Sequence, residues 1–314
     1  MTLHEAINEY IAWRKDHGAK FKSSASVLRL FYKSFDCNID CDAVTNAQIC
    51  NFLVDKDLLT RYRQNKYVAL TGFYRYAISR GYATRSPLPD NEPRPPQSAP
   101  PYIFTRDELG RVFAAVDSNQ RRAFQLDALT FRTLLLLLYG TGLRQGEAIR
   151  LKLTDVDLSH AVLAVHRTKF NKSRFVPVGP QLNEVLTAYA ARRTGRPLPE
   201  GEASSFLAYR DGTPLASSTI QQAFIRLLHR AGVQGTDGTR QSPGLHSLRH
   251  SFAVHRLTAW YRQGADVQRL LPLLSTYLGH ADLSGTQVYL SMTPELLQQA
   301  SQRLERYTRG GDND

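Results

Sequence analysis

The sequence is poor in cysteine, in long apolar runs and in acidic residues, and each shortage narrows the class of protein. Its three cysteines, Cys37, Cys41 and Cys50, are odd in number and close together near the N-terminus. A disulfide framework is therefore not expected, and no His or Cys pair nearby completes a zinc site. The longest apolar run, 134–139, is far shorter than the roughly 20 residues that cross a bilayer. We expect a cytoplasmic protein with reduced thiols, no metal and no membrane partner.

The shortage of acidic residues leaves the chain strongly basic. It has 40 Lys and Arg against 28 Asp and Glu, a net charge of +12 and a sequence pI near 9.7. A polyanion is the expected partner, either nucleic acid or an anionic membrane surface. The membrane is the weaker choice, because no long apolar segment accompanies the basic charge.

Proline marks a division of the 314-residue chain into two domains. Residues 86–101 are rich in proline, which lacks the N–H that helices and central strands need, so this segment is predicted to be a linker. Residues 1–85 show four stretches of helical apolar spacing, the first opened by a capping-box pattern at Thr2 and Glu5. The pattern predicts a small all-helical bundle, with helices near 2–18, 24–35, 45–55 and 60–80.

The second predicted domain, 102–314, is mainly helical with a small sheet. The apolar stretch 124–139 predicts a helix inside the core. Residues 161–166 and 174–178 predict an antiparallel pair of strands, to which 206–209 adds a third. Later helices are predicted over 180–193, 217–231 and 247–263.

Four segments of the second domain carry side chains suited to phosphate chemistry. The stretch 278–289 places His280 nine residues before Tyr289, across a loop rich in Asp, Ser and Gly. The other three segments contribute four more candidates, in chain order Arg144, Lys169, His246 and Arg249. Fixed cations aimed at the oxygens of a reacting phosphate are the main means of catalysing its transfer. The set contains no obvious group of metal ligands, so it is suited to phosphoryl transfer without a metal ion.

The order and local patterns of these segments resemble the tyrosine recombinase (phage integrase) family, which includes Xer-type and integron-type recombinases. The resemblance covers about 102–295 and rests on four motifs, at 140–147, 168–177, 246–250 and 278–289. It implies a mainly α fold: an N-terminal all-helical core-binding (SAM-like) domain, and a mostly helical catalytic domain with a small antiparallel sheet. It also implies a site-specific DNA recombinase that cleaves and rejoins strands through a 3′-phosphotyrosyl intermediate, with no cofactor.

The resemblance assigns roles to the candidate residues. Arg144 and Arg249 would bind the phosphate oxygens, because a guanidinium is always charged and forms bidentate bonds to phosphate. His246 and His280 would donate hydrogen bonds to the phosphate or exchange a proton near neutral pH. Tyr289 would be the nucleophile.

The other assignments carry alternatives. Lys169 would be the general acid that protonates the departing 5′-oxygen, with Lys172 as its rival. Tyr277 competes with Tyr289 but has no counterpart in the family pattern. Glu147 is expected to support Arg144, although the pair could be a structural salt bridge.

His250 directly follows Arg249 and should project in a different direction, so it is expected to support the site without contacting the reacting groups. Arginines and lysines along the first domain, with aromatic residues between them, are candidate DNA phosphate contacts, as are two cations of the second domain. The DNA-binding candidates are Lys20, Lys22, Arg61, Arg63, Lys66, Lys172 and Arg174.

The family works as a homo-tetramer that holds two duplex DNA sites and exchanges C-terminal helices. Thr293 and Pro294 predict the start of such a helix, followed by an apolar stripe at Leu296, Leu297, Ala300 and Leu304. We expect the stripe to dock on a neighbouring subunit, with packing on its own domain as the alternative. The biological role would be integration, excision, transposition or the resolution of replicon dimers.

Two other functions fit part of the pattern. A type IB topoisomerase shares the site chemistry, but the two-domain layout and the helix after Tyr289 favour recombination. A DNA-binding accessory protein without catalysis should lack a tyrosine or an arginine of the set, and none is missing. One departure is the segment 269–277, which is longer than the usual approach to the Leu-Gly-His motif and leaves its helix geometry open.

Overall fold

The structure, a computed structural model, divides into two compact units, 1–98 and 99–314. The ranges it describes are 1–35, 39–54, 61–90, 99–117, 126–166, 173–235, 242–280, 282–291, 297–298 and 301–302. Each unit has an apolar core of its own. Within the described ranges, no helix is both long and apolar enough to cross a membrane.

The described residues of the N-terminal unit form four α-helices: α1 (Leu3–Asp16), α2 (Lys22–Lys33), α3 (Asn46–Leu53) and α4 (Arg61–Ser79). The predicted capping box opens α1. Thr2 Oγ1 accepts a hydrogen bond from the Glu5 backbone N–H at 3.3 Å, and Glu5 Oε2 accepts one from the Thr2 N–H at 3.1 Å. Thr45 and Gln48 form a second capping box before α3. These bonds satisfy N–H groups that have no partner inside a helix.

Lys66 lies inside this unit, so its prediction as a DNA contact is wrong. The residue is 7% exposed, and its Nζ donates to the carbonyl oxygen of Phe52 at 2.9 Å. The same ammonium lies 4.8 Å and 4.9 Å from the ring centroids of Phe52 and Tyr62. Two cation–π contacts and a hydrogen bond therefore use the charge within the bundle. Lys66 ties α4 to the end of α3 and offers nothing to a phosphate.

The C-terminal unit is mainly helical. Its helices are α5 (Arg106–Asp117), α6 (Ala128–Thr141), α7 (Gln145–Ala148), α8 (Pro180–Arg193), α9 (Ser217–Arg230), α10 (Leu245–Arg262), α11 (Val267–Leu278) and α12 (Ser284–Gln287). The central helix α6 packs against α10, α8 and α5. It begins four residues later than predicted, where Asp127 accepts a hydrogen bond from the Thr130 N–H at 3.0 Å.

Where the structure describes this unit, its sheet has three antiparallel strands in the order β1 (Val156–Asp157), β2 (Val162–Val165) and β3 (Arg174–Pro177). The two predicted strands are confirmed as β2 and β3, but the third was placed wrongly. It is β1, which pairs with β2, whereas residues 206–209 form no strand. Phe206 and Leu207 are apolar because they are buried in the core, where the Phe206 N–H donates to Leu151 at 2.7 Å.

Two glycine-ended helices shape the region of the candidate site. α6 is capped by Gly142 (φ +62°) and α11 by Gly279 (φ +69°), both in the left-handed region. A Cβ at Gly142 would lie 2.6 Å from Phe252 Cδ1, and one at Gly279 would lie 2.6 Å from Arg174 Nη1. The long segment before the Leu-Gly-His motif is the helix α11, which accommodates Pro272 in its interior.

Candidate active site

Arg249 is the most deeply buried of the site's cations that the structure describes. It lies on α10 with 1% of its surface exposed, and its Nη1 and Nη2 donate to the carbonyl oxygens of Gly142 and Leu278 at 2.7 Å and 2.8 Å. Burial, and then the charge of Arg144, lowers the pKa of Arg249 to about 10, so it remains charged at neutral pH. The two carbonyls fix the direction of the guanidinium and leave further N–H groups for a ligand.

Arg144 and Arg174 share one buried carboxylate. Arg144 Nη1 lies 2.9 Å from Glu147 Oε1, and Arg174 Nη1 and Nη2 lie 3.2 Å and 2.9 Å from Oε1 and Oε2. The Arg144 backbone N–H adds a fourth bond to Glu147 at 3.1 Å. Burial opposes ionisation of the carboxyl, yet the bonds from Arg174 and then Arg144 lower the pKa of Glu147 to about 2. Arg144 Nη2 also donates to Gly279 O at 3.0 Å, which orients the group that would meet a phosphate.

Arg174 was predicted to contact DNA, and the structure contradicts this. Only 11% of its side chain is exposed. Its Nε donates to Tyr277 O at 2.9 Å, and the rest of the guanidinium is bonded to Glu147. Arg174 therefore joins the start of β3 to the carboxylate that holds Arg144 and to the last turn of α11. It positions other groups of the site and is not placed to grip a DNA backbone.

His280 directly follows the glycine that ends α11. Its Nδ1 lies 2.6 Å from the hydroxyl of Thr286, which is fully buried in α12. Burial, and then the charges of Arg249 and Arg144, lowers the pKa of His280 to about 4, so the ring is neutral at pH 7. With the threonine as donor, Nε2 carries the hydrogen and can donate to a phosphate oxygen. The sequence motif did not single out Thr286.

Tyr289 lies in a short 3₁₀ turn after α12 and is 2% exposed. Its hydroxyl is 3.0 Å from His250 Nδ1, and its ring stacks with His280 at a centroid distance of 6.2 Å. Burial raises the pKa of Tyr289, although the charge of Arg249, a hydrogen bond from it and the charge of Arg144 act in the opposite direction. The phenol is therefore protonated at neutral pH and must lose its proton in any attack.

The two histidines of α10 are arranged differently from what the sequence indicated. His246 is exposed, and its ring meets that of His250 at 4.5 Å in an edge-on arrangement. His250 was expected to support the site without contacting the reacting groups, but it contacts the Tyr289 hydroxyl directly. Residues 246 and 250 are one helical turn apart and share a face, which is why both rings reach the tyrosine's side of α10.

The remaining candidates lie outside the site or outside the described residues. Tyr277 donates its hydroxyl hydrogen to Pro177 O at 3.0 Å, and burial raises its pKa to about 12. Lys169 and Lys172 fall outside the described residues. Among those that are described, no group of three His, Cys, Asp or Glu side chains could hold a metal ion.

Comparison with known proteins decides the family. Residues 103–295 match the model of the phage integrase family. The chain belongs to this family. The predicted relationship to tyrosine recombinases is thereby confirmed, as are the recombinase activity and the mainly helical fold that it implied.

Relatives align with nearly the whole chain. The integrase/recombinase y4rE of Sinorhizobium fredii is 36% identical over 303 residues, covering 96% of this chain and 95% of its own. Tyrosine recombinase XerC of Listeria welshimeri is 29% identical, covering 81% and 82%. The fold is also similar to that of a chain in the crystal structure of a lambda integrase dimer bound to a COC′ core site. The TM-score is 0.69 at 19% identity, and the match covers 94% of this chain and 97% of the lambda integrase chain.

Proposed function

We propose that this integrase cuts and rejoins DNA at a specific site through a 3′-phosphotyrosyl intermediate formed on Tyr289. The observation that supports this most strongly is the position of Tyr289. Its hydroxyl is buried with His250, and the charges of Arg249 and Arg144 act on its pKa. A tyrosine buried only for packing would not need two oriented guanidinium groups near its oxygen.

The proposed chemistry is a transesterification. The Tyr289 oxygen attacks the phosphorus, and the bond from phosphorus to the 5′-oxygen breaks. Arg144 and Arg249 stabilise the negative charge that gathers on the non-bridging oxygens, and His280 donates a hydrogen bond to one of them. Lys169 supplies the proton that the departing 5′-oxygen takes up. Because the new ester conserves the bond energy, a 5′-hydroxyl can reverse the reaction on another strand without a cofactor.

The test is Tyr289→Phe on a suicide DNA substrate that traps the covalent adduct, analysed by denaturing electrophoresis. We expect no adduct and nearly unchanged DNA affinity, because only the hydroxyl is lost. Tyr277→Phe is the matched control, since it removes a hydrogen-bonded tyrosine hydroxyl from the same unit, and it should form adduct normally. Adduct formation by the Tyr289→Phe variant would refute the assignment of the nucleophile.

The N-terminal unit is proposed to hold the DNA on its basic surface. Lys20, Lys22 and Arg61 are exposed and Arg63 is half-buried, so these four remain candidates after Lys66 is removed. Contacts of this kind supply affinity and register with little sequence discrimination. Replacing Lys22 or Arg61 by alanine should weaken binding similarly on all sequences and reduce the salt dependence of the affinity by about one counterion per residue.

The assembly on DNA is proposed to be a homo-tetramer with exchanged C-terminal helices. Leu297 and Gln298, and then Ser301 and Gln302, are helical, and Leu297 is 51% exposed. A structure of lambda integrase is of a tetramer bound to a Holliday junction, which agrees with such an assembly. Truncation after Met292 should preserve half-site binding and reduce cooperative binding to a full site in gel-shift titrations. Wild-type cooperativity of the truncated chain would contradict the exchange. We propose the cytoplasm as the compartment, because the DNA substrate is there.

A further inference from the structure

We propose that His250 is the general base that accepts the Tyr289 proton during strand cleavage and returns it during rejoining. The proposal rests on the function proposed above and adds a catalytic residue to it. The geometry is direct: His250 Nδ1 and the Tyr289 hydroxyl are 3.0 Å apart, within hydrogen-bond distance. In the cleavage step the O–H bond of Tyr289 breaks, the proton moves to Nδ1, and the phenolic oxygen forms the bond to phosphorus.

The surroundings of His250 keep its ring neutral, which leaves Nδ1 free of a second proton but also makes it a weak base until a phosphate binds. Burial, followed by the charges of His246, Arg249 and His280, lowers the pKa of His250 to about 3. The ring is thus neutral across the physiological range, with Nδ1 able to accept. Tyr289, in contrast, is protonated, since burial raises its pKa. The proton shared by Tyr289 and His250 therefore stays on the tyrosine in the free protein. When a phosphate binds, its negative charge favours the protonated, cationic form of His250.

The neighbouring histidines are less suited to this task. His280 Nδ1 is engaged with Thr286 at 2.6 Å, and the ring centroids of His280 and Tyr289 are 6.2 Å apart in a stacked arrangement, whereas the hydrogen bond at the Tyr289 hydroxyl is made by His250. His246 contacts the ring of His250 and not the tyrosine. The position of His250 one residue after Arg249 has a simple consequence: one turn of α10 carries both the cation for the phosphate and the acceptor for the nucleophile's proton.

The test measures single-turnover adduct formation by His250→Asn between pH 5.5 and 9. The Oδ1 of asparagine, near the position of Nδ1, can still accept a hydrogen bond from the Tyr289 hydroxyl, but it cannot take up the proton. At pH 7 the rate should fall by about 10²–10³, within the usual range for a lost general base. DNA affinity should remain near the wild-type value.

The pH profile separates a base from a packing residue. In the wild type, titration of His250 should add almost no pH dependence to the cleavage rate, because its ring is neutral throughout the range from pH 5.5 to 9. The variant must use tyrosine that has already ionised, so its rate should rise about tenfold per pH unit and approach the wild-type rate in alkali. Incorporation of a fluorinated, more acidic tyrosine at position 289 should restore cleavage in His250→Asn and change the wild type little.

His255→Asn is the matched control. His255 lies further along α10, half-buried, with its Nδ1 2.9 Å from the Tyr139 hydroxyl, and therefore repeats the His–Tyr pair away from the site. It should cleave at the wild-type rate with an unchanged pH profile. A deficit of His250→Asn that is constant with pH, or one that the acidic tyrosine does not relieve, would overturn the proposal in favour of a structural role. Faster cleavage by His250→Asn would also overturn it, because His250 would then hold Tyr289 back. If Tyr289→Phe still forms adduct, the proposed function itself fails, which is a different result from any of these.

Discussion

The buried carboxylate of Glu147 should be worth several kilocalories per mole to the folded catalytic unit. It accepts four hydrogen bonds, from the side chains of Arg144 and Arg174 and from the Arg144 backbone, and its side chain is only 2% exposed. Glu147→Gln keeps the shape but removes the charge, and it turns an amide NH₂ group toward the arginine donors. Removal of one partner from a buried ion pair typically costs about 3–5 kcal/mol.

The pKa of Glu147 gives a second measure of the same interaction. A drop in the pKa from its ordinary value of 4.5 to about 2 corresponds to roughly 3 kcal/mol, at about 1.4 kcal/mol per pH unit. Because the folded-state pKa is lower than the unfolded one, this stability is fully present above about pH 4.5 and is lost as the pH falls toward 2. In Glu147→Gln, that loss between pH 4.5 and 2 should be absent.

The assay is urea unfolding followed by tryptophan fluorescence. The chain has two tryptophans, Trp13 in α1 and Trp260 in α10, so a Trp13→Phe background reports on the catalytic unit alone. We expect Glu147→Gln to lower the free energy of unfolding at pH 7 by about 3 kcal/mol. Asp157→Asn, which breaks the exposed pair with His160 in the same unit, is the control and should have little effect. A loss below about 1 kcal/mol for Glu147→Gln, or an unaltered acid profile, would refute the reasoning.

Three further predictions concern the leaving group, the N-terminal unit and acid stability. The Lys169→Ala variant should cleave ordinary DNA slowly, but its cleavage rate should recover on a substrate with a 5′-bridging sulfur, because a thiolate leaves without a proton. An equal loss of rate on both substrates would favour Lys172 as the general acid to test next. Lys66→Met should lower the melting temperature of the N-terminal unit without altering the salt dependence of DNA binding, and a reduced salt slope would restore Lys66 as a phosphate contact. The free energy of unfolding should also fall as the pH drops from about 6.5 toward 4. In this range His280 binds a proton in the unfolded chain but stays neutral in the folded protein, where its pKa is about 4. His280→Asn should flatten urea-unfolding profiles in that window by up to about 1.4 kcal/mol per pH unit, and an unchanged slope would contradict the assignment.

The sequence predicted most of the long helices because their apolar spacing and caps are local, but it left α11 open and did not predict the short α7 and α12. Thr2 and Glu5 meet within one turn, and α8 begins and ends at the predicted residues. It predicted the third strand wrongly because residues 206–209 are apolar for burial in the core, whereas β1 is too short to show a pattern.

Long cations were the least predictable part of the site. Lys66 and Arg174 occur in basic surroundings, and a sequence does not show whether such a side chain extends into water or bends into the core. The contacts of Arg249 have no sequence signature at all, since both of its acceptors are main-chain carbonyls. The hydrogen bond of His250 likewise depends on where the turn after α12 places Tyr289, which α10 alone cannot predict.

The attachment of Arg249 and Arg144 to the ends of α6 and α11 has a consequence for reading variants of this integrase. Both acceptors of Arg249 are backbone carbonyls, those of Gly142 and Leu278, and Arg144 adds the carbonyl of Gly279 to its bond with Glu147. Arg249 can therefore lose its orientation without a change in any neighbouring side chain. A substitution that extends α6 or α11 by one residue would shift the carbonyls that orient Arg249 and Arg144. The enzyme would then be inactive although every reactive residue is still present in the sequence. An inventory of intact motif residues is therefore an insufficient criterion for activity among natural copies, and the two helix-ending glycines belong in it.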